Sequence, residues 1–140
     1  MAKKILRTGI SDEYDFKLIG IVCQYKEYRL CHFLNQRLSI RLHRAEDYEI
    51  MKPQNRQKLS FSLYTFDPDE QVHYFLFANK TSGGILIPEH KNMDYFLVIK
   101  DYQNRLDDDW LLNAIKEIPL VLGAYLVQAD LLRSKENLVF

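Results

Sequence analysis

Residues 83–101 read GGILIPEHKNMDYFLVIKD, and the fold turns on how they are interpreted. Two apolar runs, Ile85-Leu86-Ile87 and Tyr95-Phe96-Leu97-Val98-Ile99, flank a polar segment over residues 88–94. A short, uninterrupted apolar run bounded by turn-forming residues is the pattern of a strand buried on both faces. Both runs are therefore expected to be core strands. The segment between them carries two carboxylates, Glu89 and Asp94.

Upstream, Leu59, Phe61, Leu63 and Thr65 alternate with Ser60, Ser62 and Tyr64, which predicts one half-buried strand. Asp67-Pro68-Asp69-Glu70 supplies turn chemistry, and residues 72–78 (VHYFLFA) return as the hairpin partner. With a second turn over residues 79–84, the strands from Leu59 to Lys100 are expected to form a four-stranded meander. Residues 15–23 (DFKLIGIVC) become continuously apolar, as a central strand would. Gly20 within them marks a place where a neighbouring backbone or helix comes close. Over residues 25–38 the period changes. Leu30, Cys31, Phe33, Leu34 and Leu38 fall at helical spacing, with Lys26, Arg29, Gln36 and Arg37 largely on the other faces. Ile40 and Leu42 alternate with Arg41 and His43, as in a half-exposed strand, and residues 46–57 read as an irregular connection broken by Pro53. Residues 4–7 could add a short edge strand.

Downstream, Asp107-Asp108-Asp109 opens a second helix, one Asp capping free N–H groups and the others favouring the positive end of the dipole. Leu111, Ala114, Ile115 and Ile118 form its apolar stripe, and Pro119 stops it. Residues 120–128 (LVLGAYLVQ) read as a final strand or as helix continued past Pro119, and both readings stay open. The closing Asn137-Leu138-Val139-Phe140 is apolar enough to dock on the domain. The resulting order predicts one α+β domain over residues 1–140: an antiparallel sheet of about five to seven strands covered by two main helices.

Composition narrows the functional classes. A chain of 140 residues with 47% apolar and 13% aromatic content builds one real core and is not a disordered chain. It has 19 basic and 19 acidic residues, so RNA contact would need a local patch rather than a global field. The longest apolar run, over residues 119–127, is about half the ~20 residues of a membrane helix. The start, MAKKILRTG, lacks the sustained apolar region of a signal peptide. A cytoplasmic protein without membrane contact is expected. Cys23 and Cys31 are expected to be reduced and buried.

Ile87-Pro88-Glu89, three residues, then Met93-Asp94-Tyr95 resembles the signature of the bacterial IPExxxVDY family, with Met93 where that signature has Val. The resemblance extends to Asp15-Phe16, Leu18-Ile19-Gly20-Ile21, Tyr28-Arg29-Leu30, Leu34-Asn35 and the closing run from Lys135 to Phe140. It implies a family of unknown function, so no catalytic residues are carried over. Family genes tend to lie near those for ribonuclease III, acyl carrier protein and pyruvate kinase, a contextual hint about partners.

Glu89 and Asp94 are the sharpest chemical candidates, as an acid–base pair or a cation site. The plainer reading is that Pro88 fixes the backbone, Glu89 accepts backbone N–H groups in the turn and Asp94 closes an Asx-turn before Tyr95. No nucleophile, paired His or phosphate loop accompanies them, so no catalytic residue is assigned. His32, His43, His73 and His90 are scattered without metal-ligand spacing, and neither a metal nor a cofactor is expected. Thr81-Ser82-Gly83-Gly84 precedes a strand rather than a helix and is read as a turn. Lys26, Arg29, Arg37, Arg41 and Arg44 make a basic patch near Tyr25 and Tyr28, suited to RNA or to an acidic partner. The leading expectation is a non-enzymatic module that binds a protein partner or its own kind. Its contacts would be Pro88, Glu89, His90, Asp94 and Tyr95 in the signature, and Arg29 and Arg37 on the first helix. A small enzyme or ligand-binding protein using Glu89 and Asp94 is the alternative, and RNA binding through the basic helix a further one.

Overall fold

The five residues Tyr95 to Ile99 are all buried, because the strand that contains them is covered on both faces. The structure is a computed structural model and describes residues 15–139. The short strand anticipated over residues 4–7 lies outside them, as does Phe140.

Ten strands form among the described residues: β1 (Lys17–Val22), β2 (His43–Arg44), β3 (Tyr48–Met51), β4 (Lys58–Phe61), β5 (Leu63–Phe66), β6 (Val72–Ala78), β7 (Lys80–Thr81), β8 (Gly84–Ile85), β9 (Tyr95–Asp101) and β10 (Gly123–Val127). Two α-helices accompany them, α1 (Glu27–Leu38) and α2 (Asp108–Lys116). Six strands make the main sheet in the order β10-β1-β9-β6-β5-β2, every pair antiparallel. The fold is α+β, as the alternation patterns predict.

Each face of this sheet supports its own core. On one face Ile19, Ile21, Leu76, Leu97 and Ile99 meet Leu30, Leu34 and Leu38 of α1 and Leu111 and Ile115 of α2. On the other, Leu18, Phe77, Phe96 and Val98 meet Leu59 and Phe61 of β4, Leu86, Ile87, and Leu132 and Leu138 of the tail. Alternation in β9 thus sends odd residues to the helices and even residues to the second layer. With apolar partners on both sides, the strand reads as an unbroken hydrophobic run.

Several expectations need correction. Residues 46–57 are not simply irregular, since β3 pairs with β4 from Tyr48↔Phe61 to Met51↔Lys58. Tyr48 and Ile50 do alternate with Glu49 and Met51, but four residues give little periodicity to detect. The single strand anticipated from Leu59 to Thr65 breaks at Ser62. Its first part pairs with β3 in the second layer and its second part joins the main sheet. Residues 40–42 are not a strand. Leu42 is held by Asn35 of α1, whose Oδ1 accepts the Leu42 N–H at 2.8 Å while its Nδ2 donates to the Leu42 carbonyl at 3.2 Å. The meander also changes, because β6 pairs directly with β9 while Leu86 and Ile87 leave the sheet and fill the second core.

Other expectations hold. Asp69 Oδ1 closes the β5–β6 turn by accepting the N–H groups of Gln71 and Val72. Asp107 caps α2 by accepting the Trp110 N–H at 2.9 Å. Residues 120–128 contain β10 rather than more helix. Gly20 is crowded, but by a side chain: a Cβ there would lie 2.9 Å from Cγ and Sδ of Met93 and 3.1 Å from the Phe96 ring. Gly20→Val is accordingly expected to destabilise the protein by about 2 kcal/mol through overpacking. Met93→Ala should relieve part of that cost, which urea unfolding of the single and double variants would measure as a coupling.

Candidate functional site

The signature segment is built around Asn79, the one polar residue that is wholly buried among the described residues. Its Oδ1 accepts the Ile87 N–H at 2.8 Å. Its Nδ2 donates to the carbonyls of His90 at 3.0 Å and Met93 at 2.9 Å. The Asn79 backbone adds two further bonds, donating to the Asp94 carbonyl and accepting the Leu86 N–H. A chain leaving the sheet into an apolar core must pair its peptide groups, and this amide does so where no strand neighbour is at hand. Between the clamped ends, Pro88–His90 forms one 3₁₀ turn, with Pro at its first position where no N–H is needed.

The two carboxylates point to different partners. Both Glu89 oxygens are engaged by Ser134, Oε2 by its N–H at 2.9 Å and Oε1 by its hydroxyl at 2.7 Å. Burial pushes the Glu89 carboxyl up. The Ser134 hydroxyl and the backbone N–H groups of Glu89, Ser134 and Arg133 outweigh this and hold it below its ordinary value. Asp94 Oδ2 accepts the Cys23 N–H at 2.9 Å, just past the end of β1, and Oδ1 lies 3.2 Å from Lys80 Nζ. Glu89 therefore fastens the signature to the tail, and Asp94 fastens it to β1. The local Asx-turn anticipated for Asp94 is replaced by a long-range bond, while Glu89 adds the Ser134 bonds to the contact with its own N–H in the turn.

Tyr95 continues this pattern, its hydroxyl donating to the Tyr25 carbonyl at 2.6 Å. Burial, with Glu27, Cys23 and Asp94 acting in the same direction, pushes its phenol far up, so it stays protonated. His90 is half-buried with its ring edge-on to Phe96, and Pro88 is exposed. The tail is tied twice more. Asn137 Nδ2 donates to the Leu86 carbonyl at 2.8 Å, and the Tyr48 hydroxyl donates to the Asn137 carbonyl while accepting the Val139 N–H.

The basic residues of α1 are also occupied. Arg29 lies over the Tyr25 ring at 4.7 Å, and Arg37 donates to the Glu117 carbonyl at 3.1 Å beside its carboxylate. Arg44 contacts Asp47 at 2.5 Å and the Leu63 carbonyl. Both thiols are free and buried. Burial raises the Cys23 pKa and lifts Cys31 to about 11, so neither is a ready thiolate at neutral pH. Among the described residues there is no group of three or more His, Cys, Asp or Glu able to hold a metal ion, and no helix is long and apolar enough to cross a membrane. No protein-family model matches the chain, and no curated protein matches it significantly.

Beside the latched signature lies a surface that the motif did not announce. Leu122 is 68% exposed, Tyr125 51%, Leu126 42% and Leu131 73%, all on or next to β10. At the lower end of this strip a shallow depression of about 400 Å³ is lined by Glu89, His90, Leu126, Leu131 and Arg133. The sequence did carry a signal for it, namely the run over residues 119–127, weighed above only against the length of a membrane helix. Asn79 carried no such signal, since an Asn before Lys80-Thr81-Ser82-Gly83 looks like any turn residue.

Asn79→Ala is expected to cost about 3–5 kcal/mol, because one buried N–H and two carbonyls lose their partner. Chemical denaturation measures this, and a loss under 1 kcal/mol would contradict the clamp. The depressed Glu89 carboxyl stabilises the fold above its ordinary value near 4.5, and that contribution disappears as pH falls through its lower folded value. Glu89→Gln should thus be less stable than wild type at neutral pH, with the difference shrinking below about pH 4.5.

Proposed function

We propose that this protein is a non-enzymatic protein-binding domain whose IPExxxMDY segment is an internal latch. Its contact surface is then the apolar strip along β10. The observation that carries this reading is the gathering of Leu122, Tyr125, Leu126 and Leu131, each at least 42% exposed, along one margin of the sheet. By register Leu122, Ala124 and Leu126 stand on the helix side of β10 and Tyr125 on the other, so this margin is apolar on both faces. An exposed apolar margin with a polar rim, here Glu89, His90 and Arg133, is a usual mark of a protein contact.

The partner chemistry that fits is an extended apolar segment added alongside β10, because a sheet margin offers backbone hydrogen bonds as well as side-chain contact. This relocates the surface expected from sequence. Of the seven residues named there, Glu89, Asp94 and Tyr95 spend their polar groups on long-range internal bonds, whereas Arg29 and Arg37 stay exposed, over the Tyr25 ring and beside Glu117. Pro88 is exposed, and His90 borders the strip. The acid–base alternative is not carried forward, since Glu89 and Asp94 hold separate partners. RNA binding through α1 finds less support, because the chain carries no net charge and Arg37 and Arg44 sit beside Glu117 and Asp47.

We further infer membership of the IPExxxVDY family. The signature and the closing residues are joined through Asn79, Ser134 and Asn137, and Met93 fills the space that Gly20 leaves open.

Immobilised protein in native lysate is expected to retain a stoichiometric protein partner. A Leu126→Asp/Leu131→Asp variant should lose it, and Arg44→Gln, on the opposite margin of the sheet, should keep it. Equal retention by the strip variant would refute the reading.

A further inference from the structure

The two margins of the main sheet differ in character. One is β2, two residues long, exposed, and carrying His43 and Arg44 with Arg41 just before it. Short length and positive charge are common means by which an edge strand avoids pairing with another chain. The other margin is β10, which pairs with β1 on its inner side from Leu18↔Val127 to Val22↔Gly123. Among the described residues no strand pairs with its outer side. It has none of the same protection. No charged residue lies between Glu117 and Asp130, and Pro119 stands four residues ahead of the strand rather than within it.

We propose that β10 pairs antiparallel with β10 of a second copy of this chain, joining two six-stranded sheets across a twofold axis. This rests on the reading of the β10 strip as the contact surface and names its occupant. A twofold antiparallel pair sets a strand against its own sequence, so any charge on it would face a like charge nearby. Residues 118–129 carry none. Tyr125 is the middle residue of β10, which brings the two copies of its ring close to the axis, where cross-strand aromatic contacts stabilise a pair. Gly123 adds to this. A Cβ at that position would lie 2.7 Å from the Tyr125 hydroxyl, so the missing side chain leaves room for the Tyr125 ring along the strand. With Tyr125 at the axis, Leu126 of each copy lies opposite Ala124 of the other and diagonal to the second Leu126, so the cross-strand contacts next to the axis are apolar.

Light scattering of the full chain at micromolar concentration is expected to give twice the 16.7 kDa chain mass. Leu126→Lys sets two ammonium groups near the axis and should return the monomer mass with an unchanged circular dichroism spectrum. Leu122→Lys, at a more exposed position, is the second variant should the first fail to fold. Amide hydrogen exchange should show the Gly123–Val127 backbone gaining protection as concentration rises, a response that association through another face would not produce. A monomer mass at every concentration overturns the proposal. So does a dimer that survives both Lys variants with β10 exchange unchanged. If the wild type is monomeric but the strip variant still loses a captured protein, only the self-pairing fails and the contact surface stands.

Discussion

The chain leaves the main sheet at the end of β6 and re-enters as β9 directly beside it, and everything between has to be held away from the sheet without stranding peptide groups. Asn79 meets that requirement. Its side chain gathers the Ile87 N–H and the His90 and Met93 carbonyls, and its backbone pairs with Leu86 and Asp94. An amide suits this task because it offers an acceptor and two donors without charge, and so avoids the desolvation cost of a buried ion. With the clamp in place, Leu86 and Ile87 enter the second core, Glu89 faces the tail and Asp94 reaches β1. Removing it would release three connections at once rather than one turn.

The second layer explains why such a connection is needed. Helices cover one face of the sheet, but the other is covered by a β-hairpin, Leu86 and Ile87, and a tail of short 3₁₀ turns. Segments like these have little secondary structure of their own to satisfy their backbones, so side chains do it. Ser134 bonds Glu89, Asn137 bonds Leu86, and Tyr48 bonds the chain at Asn137 and Val139. The apolar anchors Leu132 and Leu138 supply the burial, and the polar contacts set the register in which they bury. The signature and the closing residues form a single unit because each covers the other.

That unit also borders the exposed apolar strip along β10. The tail turns away just beyond β10, which leaves Leu126 and Leu131 exposed side by side above the Glu89–Arg133 rim. A sheet margin free of charge is an aggregation liability unless something pairs with it. The opposite margin, short and basic, shows the protected form in the same molecule. The two margins of one sheet thus differ in length, charge and apolar exposure.

By itself, the sequence determined the α+β class, the amphipathic first helix, an Asp cap on the second helix, the β5–β6 turn and the doubly buried character of residues 95–99. These follow from short-range patterns: helical spacing, alternation, and turn chemistry within a few residues. Tertiary structure decided the rest. Whether Leu86 and Ile87 sit in the sheet or beneath it, and whether residues 120–128 are strand or helix, depends on partners distant in sequence. The break at Ser62 is of the same kind, invisible in an unbroken alternation because each half finds its partner in a different layer. The same holds for the site. Glu89 and Asp94 were visible as carboxylates, but their partners Ser134 and Cys23 lie 45 and 71 positions away. A side chain's chemistry is written in its own residue, whereas its role is set by whichever group the fold brings within hydrogen-bond distance.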